Sequence, residues 1–88
     1  FYVRVKGTSM INAGIDEGDM LVVDRSVNPK NNAIAVCVIN GEFTVKRLAK
    51  NGKELYLVPE NNEFKAIKIT EEMDFQVWGI VTFVIHKV

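Results

Sequence analysis

Ile34-Ala35-Val36-Cys37-Val38-Ile39-Asn40-Gly41-Glu42-Phe43-Thr44-Val45-Lys46-Arg47-Leu48 is the stretch that decides the fold. Its first six residues are an apolar, β-branched run of strand length, read as a strand buried on both faces. Asn40-Gly41 follows, and both residues tolerate the positive φ that a type I′ hairpin turn requires. Glu42 to Leu48 then returns as the partner strand. The same signals continue in both directions. Phe1 to Lys6 alternates apolar and polar residues up to Gly7. Met20-Leu21-Val22-Val23 lies between the turns Asp16-Glu17-Gly18-Asp19 and Asn28-Pro29-Lys30-Asn31. Asn51-Gly52 links the return strand to Glu54-Leu55-Tyr56-Leu57-Val58, and Pro59-Glu60-Asn61-Asn62 breaks the pattern before a short strand over Phe64 to Ile69. Phe75 to Ile85 is a long run with apolar side chains on both faces. One segment departs: Ser9-Met10-Ile11-Asn12-Ala13 opens with an N-cap residue and fits one helical turn. The prediction is a mostly-β domain of about seven short strands with a single helical turn, filling residues 1–88.

Composition narrows the function. The chain has 88 residues, 48% hydrophobic and 25% charged, with 11 basic residues balancing 11 acidic ones. That balance removes bulk positive charge as a reason to bind nucleic acid. A single cysteine forbids an internal disulfide, which points to the cytoplasm, and a single histidine leaves no Cys/His zinc cluster. No metal or cofactor is expected. No apolar run reaches the ~20 residues that span a bilayer, and no signal peptide is visible.

A Ser–His–Asp triad would have to use His86, three residues from the end. A serine with one lysine is the nucleophile design that needs no histidine. Ser26 lies in a loop with nothing to recommend it. Ser9 stands at the mouth of the helical turn, where free backbone N–H groups can stabilise an oxyanion; the alternative is that it only caps the turn. Lys46 sits in mid-strand and shares a face with Thr44 and Leu48, while Arg47 points the other way. Burial disfavours an ammonium, but a general base near neutral pH needs its pKa to fall from ~10.4 to about 7, ~4–5 kcal/mol of differential environment. The alternative is a lysine that snorkels to solvent. Asp16, Glu17 and Asp19 read as solvated turn acids, Asp24 with Arg25 as a surface pair, Cys37 as a core thiol and His86 as an exposed or interfacial strand residue. Lys65 and Lys68 are too few for a nucleic-acid stripe.

Gly7-Thr8-Ser9-Met10, followed by Ala13-Gly14-Ile15-Asp16-Glu17-Gly18-Asp19-Met20-Leu21-Val22-Val23-Asp24, resembles the serine box of the LexA/UmuD family. Asn40 to Leu48 resembles its lysine box, and the 37-residue separation of Ser9 and Lys46 fits. Leu57-Val58-Pro59-Glu60-Asn61 and Trp78-Gly79-Ile80-Val81 resemble two later family segments. The chain departs from the family at Thr8, often aspartate in UmuD-type sequences, and at Asn32-Ala33, where a glycine–acid pair is common; Asn32 can still take the left-handed turn. The resemblance implies a compact β catalytic domain that cleaves its own chain, with Ser9 as nucleophile, Lys46 as general base and N–H groups around Thr8 and Ser9 as oxyanion donors. Family members are cut at an Ala-Gly or Cys-Gly bond well upstream of the serine, so that bond is expected ahead of Phe1; Ala13-Gly14 belongs to the serine box. The resemblance also implies a homodimer, with the Trp78 to Ile85 strand as a reasonable place for the contact.

Gly41 to Lys46 matches the UmuD branch most closely. That branch implies self-cleavage stimulated by RecA filaments on single-stranded DNA, in the response to DNA damage, and a cleaved dimer that joins the catalytic subunit of an error-prone translesion polymerase. Two alternatives stay open: the C-terminal domain of a LexA-like or phage repressor, and a non-catalytic dimerisation module.

Overall fold

The computed structural model describes residues 1–88. Seven strands form: β1 (Tyr2–Arg4), β2 (Met20–Asp24), β3 (Ile34–Ile39), β4 (Glu42–Asn51), β5 (Glu54–Val58), β6 (Ile67–Lys68) and β7 (Phe75–Ile85), with one 3₁₀ turn at Ile11–Ala13. They make a single antiparallel sheet in the order β1-β2-β7-β3-β4-β5-β6. The mostly-β expectation holds.

The predicted hairpin is the centre of this arrangement. Asn40 and Gly41 take φ of 49° and 85°, so β3 and β4 pair in register from Ile39↔Glu42 to Ile34↔Arg47. Strand pleating sends alternate residues to opposite faces. Val36 therefore joins a core of Val5, Met10, Ile15, Leu21 and Val23, while Ala35 and Cys37 join a second core of Leu48, Leu57 and Ile80. One strand thus serves both hydrophobic layers, which accounts for its unbroken apolar run.

β7 holds the two halves together by an offset. Its first half pairs with β3 and its second half with β2, and Ile80 is opposite a residue of each. Gly79 lies at this crossover, facing Val36, where a Cβ would stand 2.5 Å from Cγ1 of buried Val23. Valine is stiff at χ1 and has no free space to retreat into. Gly79→Ala is expected to cost about 1–3 kcal/mol, read as a lower urea midpoint in Trp78 fluorescence.

Several local expectations are corrected. The helical turn begins after Met10, and no side chain caps it, so Ser9 is not its cap. The strand expected over Phe64 to Ile69 shrinks to Ile67–Lys68, because Phe64 N–H donates to Asn61 O and Glu63 N–H to Asn61 Oδ1, which curls the chain. Asp19 is not solvated: it is 5% exposed and accepts from Asp16 N–H at 2.8 Å and from His86 Nδ1 at 2.8 Å. The Asp16 N–H is the main cause that holds its carboxyl below the usual range. Asp24 does not pair with Arg25. It accepts from the Ser26 hydroxyl and N–H, while the Arg25 guanidinium lies 4.5 Å over the Trp78 ring. The far end of β7 leaves Phe83 and Ile85 exposed.

Candidate active site

Ser9 reaches its position through two anchors in the loop after β1. Gly7 takes a φ of +80°, a conformation that L side chains rarely adopt, and turns the chain away from β1. Met10, 2% exposed, then plugs the first core. Between them Thr8 and Ser9 stay at the surface. Their N–H groups donate to no backbone or side-chain acceptor of the chain. Two unpaired N–H groups beside a hydroxyl are the equipment an oxyanion hole needs.

Lys46 comes to Ser9 from β4. It stands directly across from Ala35, whose methyl leaves room on that face, and is only 8% exposed. Its Nζ lies 3.0 Å from Ser9 Oγ, 2.6 Å from Thr44 Oγ1 and 3.1 Å from the Val45 carbonyl. Burial pushes the amine below its ordinary pKa, and only the neighbouring Cys37 sulfur works in the other direction. The lysine does not snorkel.

The three contacts have a consequence for the neutral amine. All three contacts are ones an ammonium can donate to; once the amine is neutral, its two N–H bonds can stay on Thr44 Oγ1 and the Val45 carbonyl, which frees the lone pair for Ser9 Oγ. A lone pair so directed can accept the serine proton. Thr44, noted in the sequence only as a neighbour on the same face, is thus a further residue of the site. Its contribution is invisible to a search for nucleophiles and bases, since it supplies neither.

Ser9 and Lys46 line a cleft of about 340 Å³, with Val5, Val36 and Val45 in its floor and exposed Phe43 and Phe64 at its rim. The remaining candidates lie elsewhere. Ser26 is bound to Asp24. Cys37 is fully buried, with its thiol pushed up to about 11 by that burial. His86 is held by Asp19 in a separate recess and reaches no part of the Ser9 cleft. Asp16, Asp19 and His86 each bring one ligand atom within 4.8 Å of the others, but Lys87 lines the same recess and Asp19 is already committed to two donors.

A family model described as Peptidase S24-like matches residues 1–82. The chain belongs to the Peptidase S24-like family. This is a family of serine peptidases that takes in the LexA/UmuD type of self-cleaving domain. The match spans both the S24-like chain's Ser9 loop and its Lys46 strand. No helix of the S24-like domain is long and apolar enough to cross a membrane.

Proposed function

We propose that this S24-like domain is a self-cleaving peptidase of the UmuD type, with Ser9 as nucleophile and Lys46 as general base. The observation that carries the proposal is the 3.0 Å approach of Lys46 Nζ to Ser9 Oγ by an amine that burial drives toward its neutral form. The pair needs no histidine, and His86 is engaged on another part of the surface.

In the proposed reaction Lys46 takes the Ser9 hydroxyl proton as Oγ bonds to the scissile carbonyl carbon. The N–H groups of Thr8 and Ser9 face the oxygen that becomes negative. Collapse of the tetrahedral species breaks the C–N bond, and the proton on Lys46 passes to the leaving amine. A water molecule then attacks the acyl carbon, giving one proton to Lys46; the acyl C–Oγ bond breaks, the proton on Lys46 returns to Ser9 Oγ, and the new carboxyl terminus leaves.

The likeness of Gly41 to Lys46 to the UmuD branch supports the finer assignment. On that assignment the protein is cytoplasmic, RecA filaments on single-stranded DNA stimulate the cleavage, and the cleaved chain works as a homodimer beside a translesion polymerase subunit. Exposed Phe83 and Ile85 on β7 offer apolar surface for such a dimer. The test is incubation of the full-length protein at mildly alkaline pH, with and without RecA filaments. Two fragments are expected from the wild type and none from Ser9→Ala. An uncut wild type, or equal cleavage of both, would overturn the peptidase assignment.

A further inference from the structure

The segment after β5 is docked on the serine loop from a distance in sequence. Asn61 Nδ2 donates to the Thr8 carbonyl at 2.7 Å, across 53 residues. Asn61 is 9% exposed, and its own Oδ1 accepts from Glu63 N–H at 3.0 Å. A second tie runs alongside: Asn12 N–H donates to the Glu60 carbonyl at 2.8 Å, and the Glu60 carboxylate pairs with Arg47. Locally, the Thr8 carbonyl has only a longer contact from Ile11 N–H, at 3.3 Å.

The carbonyl that Asn61 grips belongs to the same peptide unit as the Ser9 N–H. A trans peptide is planar, with C=O and N–H pointing in opposite directions. Fixing the direction of the Thr8 carbonyl therefore fixes the direction of the Ser9 N–H, which is free to meet an oxyanion. A hydrogen bond to the carbonyl also polarises the unit and strengthens its N–H as a donor. Both ends of the Asn61 amide are needed. The NH₂ holds Thr8, and the oxygen holds the turn that aims the NH₂.

We propose that Asn61 is a positioning residue for catalysis, which aims the Ser9 N–H into the oxyanion hole through the Thr8 carbonyl. The proposal rests on Ser9 being the nucleophile of the reaction above. It makes a separable prediction, because Asn61 touches neither Ser9 Oγ nor Lys46 Nζ.

The experiment follows phosphonylation of the protein by an alkyl fluorophosphonate, whose phosphoryl oxygen occupies the oxyanion hole. Maximal inactivation rate, probe affinity and the pH midpoint are measured for wild type, Asn61→Leu, Asn61→Ser and Ser9→Ala. Losing an oxyanion donor outright slows a serine peptidase by about 10²–10³-fold, so a misaimed one is expected to slow both Asn61 variants about 10–100-fold. Probe affinity and the pH midpoint should stay at wild-type values, with Trp78 fluorescence showing a folded protein. A wild-type maximal rate in folded variants overturns the proposal. So does a shifted midpoint, which would mean that Asn61 acts through Lys46. Loss of the fold in both variants also overturns it, since Asn61 would then be a structural keystone. Ser9→Ala separates the two levels: if it is labelled like the wild type, the nucleophile assignment itself falls.

Discussion

Replacing Lys46 by methionine is expected to slow reaction at Ser9 about 10³-fold, within the range that positioned general bases supply. Methionine keeps the length of the stem and fills the same space beside Ala35, so the cleft should keep its shape. Without the amine, the Ser9 hydroxyl has no base in reach, because Thr44 Oγ1 contacts Lys46 and His86 contacts Asp19. The rate is measured as fluorophosphonate labelling of both proteins at one pH. A methionine variant labelled at the wild-type rate would remove Lys46 from the chemistry.

The same substitution carries a signature in stability. Burial lowers the Lys46 pKa in the folded protein, whereas the unfolded chain keeps the ordinary value of about 10.5. Between the folded and the unfolded pKa the unfolded chain binds more protons, so stability rises with pH across that window. Below the folded pKa the lysine is protonated in both states and burial of its charge weighs against folding. Lys46→Met should lose this rise and be at least as stable as wild type at neutral pH. Urea midpoints taken through Trp78 fluorescence at several pH values give the comparison.

The largest effect on the fold itself is expected at Leu57. It is fully buried, sits opposite Leu48 in the β4–β5 pair and fills the second core with Ala35, Cys37 and Ile80. Truncation to alanine removes transfer energy and leaves a cavity, about 2–5 kcal/mol together. A domain this small has only about 5–15 kcal/mol in total. Leu57→Ala should therefore lower the urea midpoint sharply. It should also slow labelling of Ser9, because β5 leads directly to the segment that holds the Thr8 carbonyl. A variant with unchanged midpoint would mean that the second core contributes little.

The fold was legible where a backbone signal is local. Asn40-Gly41 names its own turn, and the apolar run before it has to be buried on both faces because its neighbours cover both. Ser9 and Lys46 were singled out as residue types, but nothing local tells a buried lysine from a snorkelling one. That depends on Ala35 across the strand pair and on the loop that Met10 anchors. Asn61 was legible as part of a break after β5 and as the end of a segment that resembles the family, and neither gave it a role. Its partner is a backbone carbonyl, which carries no sequence signal at all. Asp19 misled for a related reason: a turn acid looks solvated until His86 folds back over it from the far end of the chain. The fate of Phe64 to Ile69 was decided by side-chain capping at Asn61, which strand propensity does not register.

The most direct test of a Ser9–Lys46 pair is the pH profile of fluorophosphonate labelling, with the adduct located by mass spectrometry. The predicted result is one adduct, on Ser9, formed at a rate that climbs with pH through a midpoint below the ordinary lysine value of 10.5. An adduct on another residue, or a rate on Ser9 that climbs only at the ordinary lysine value, would contradict it.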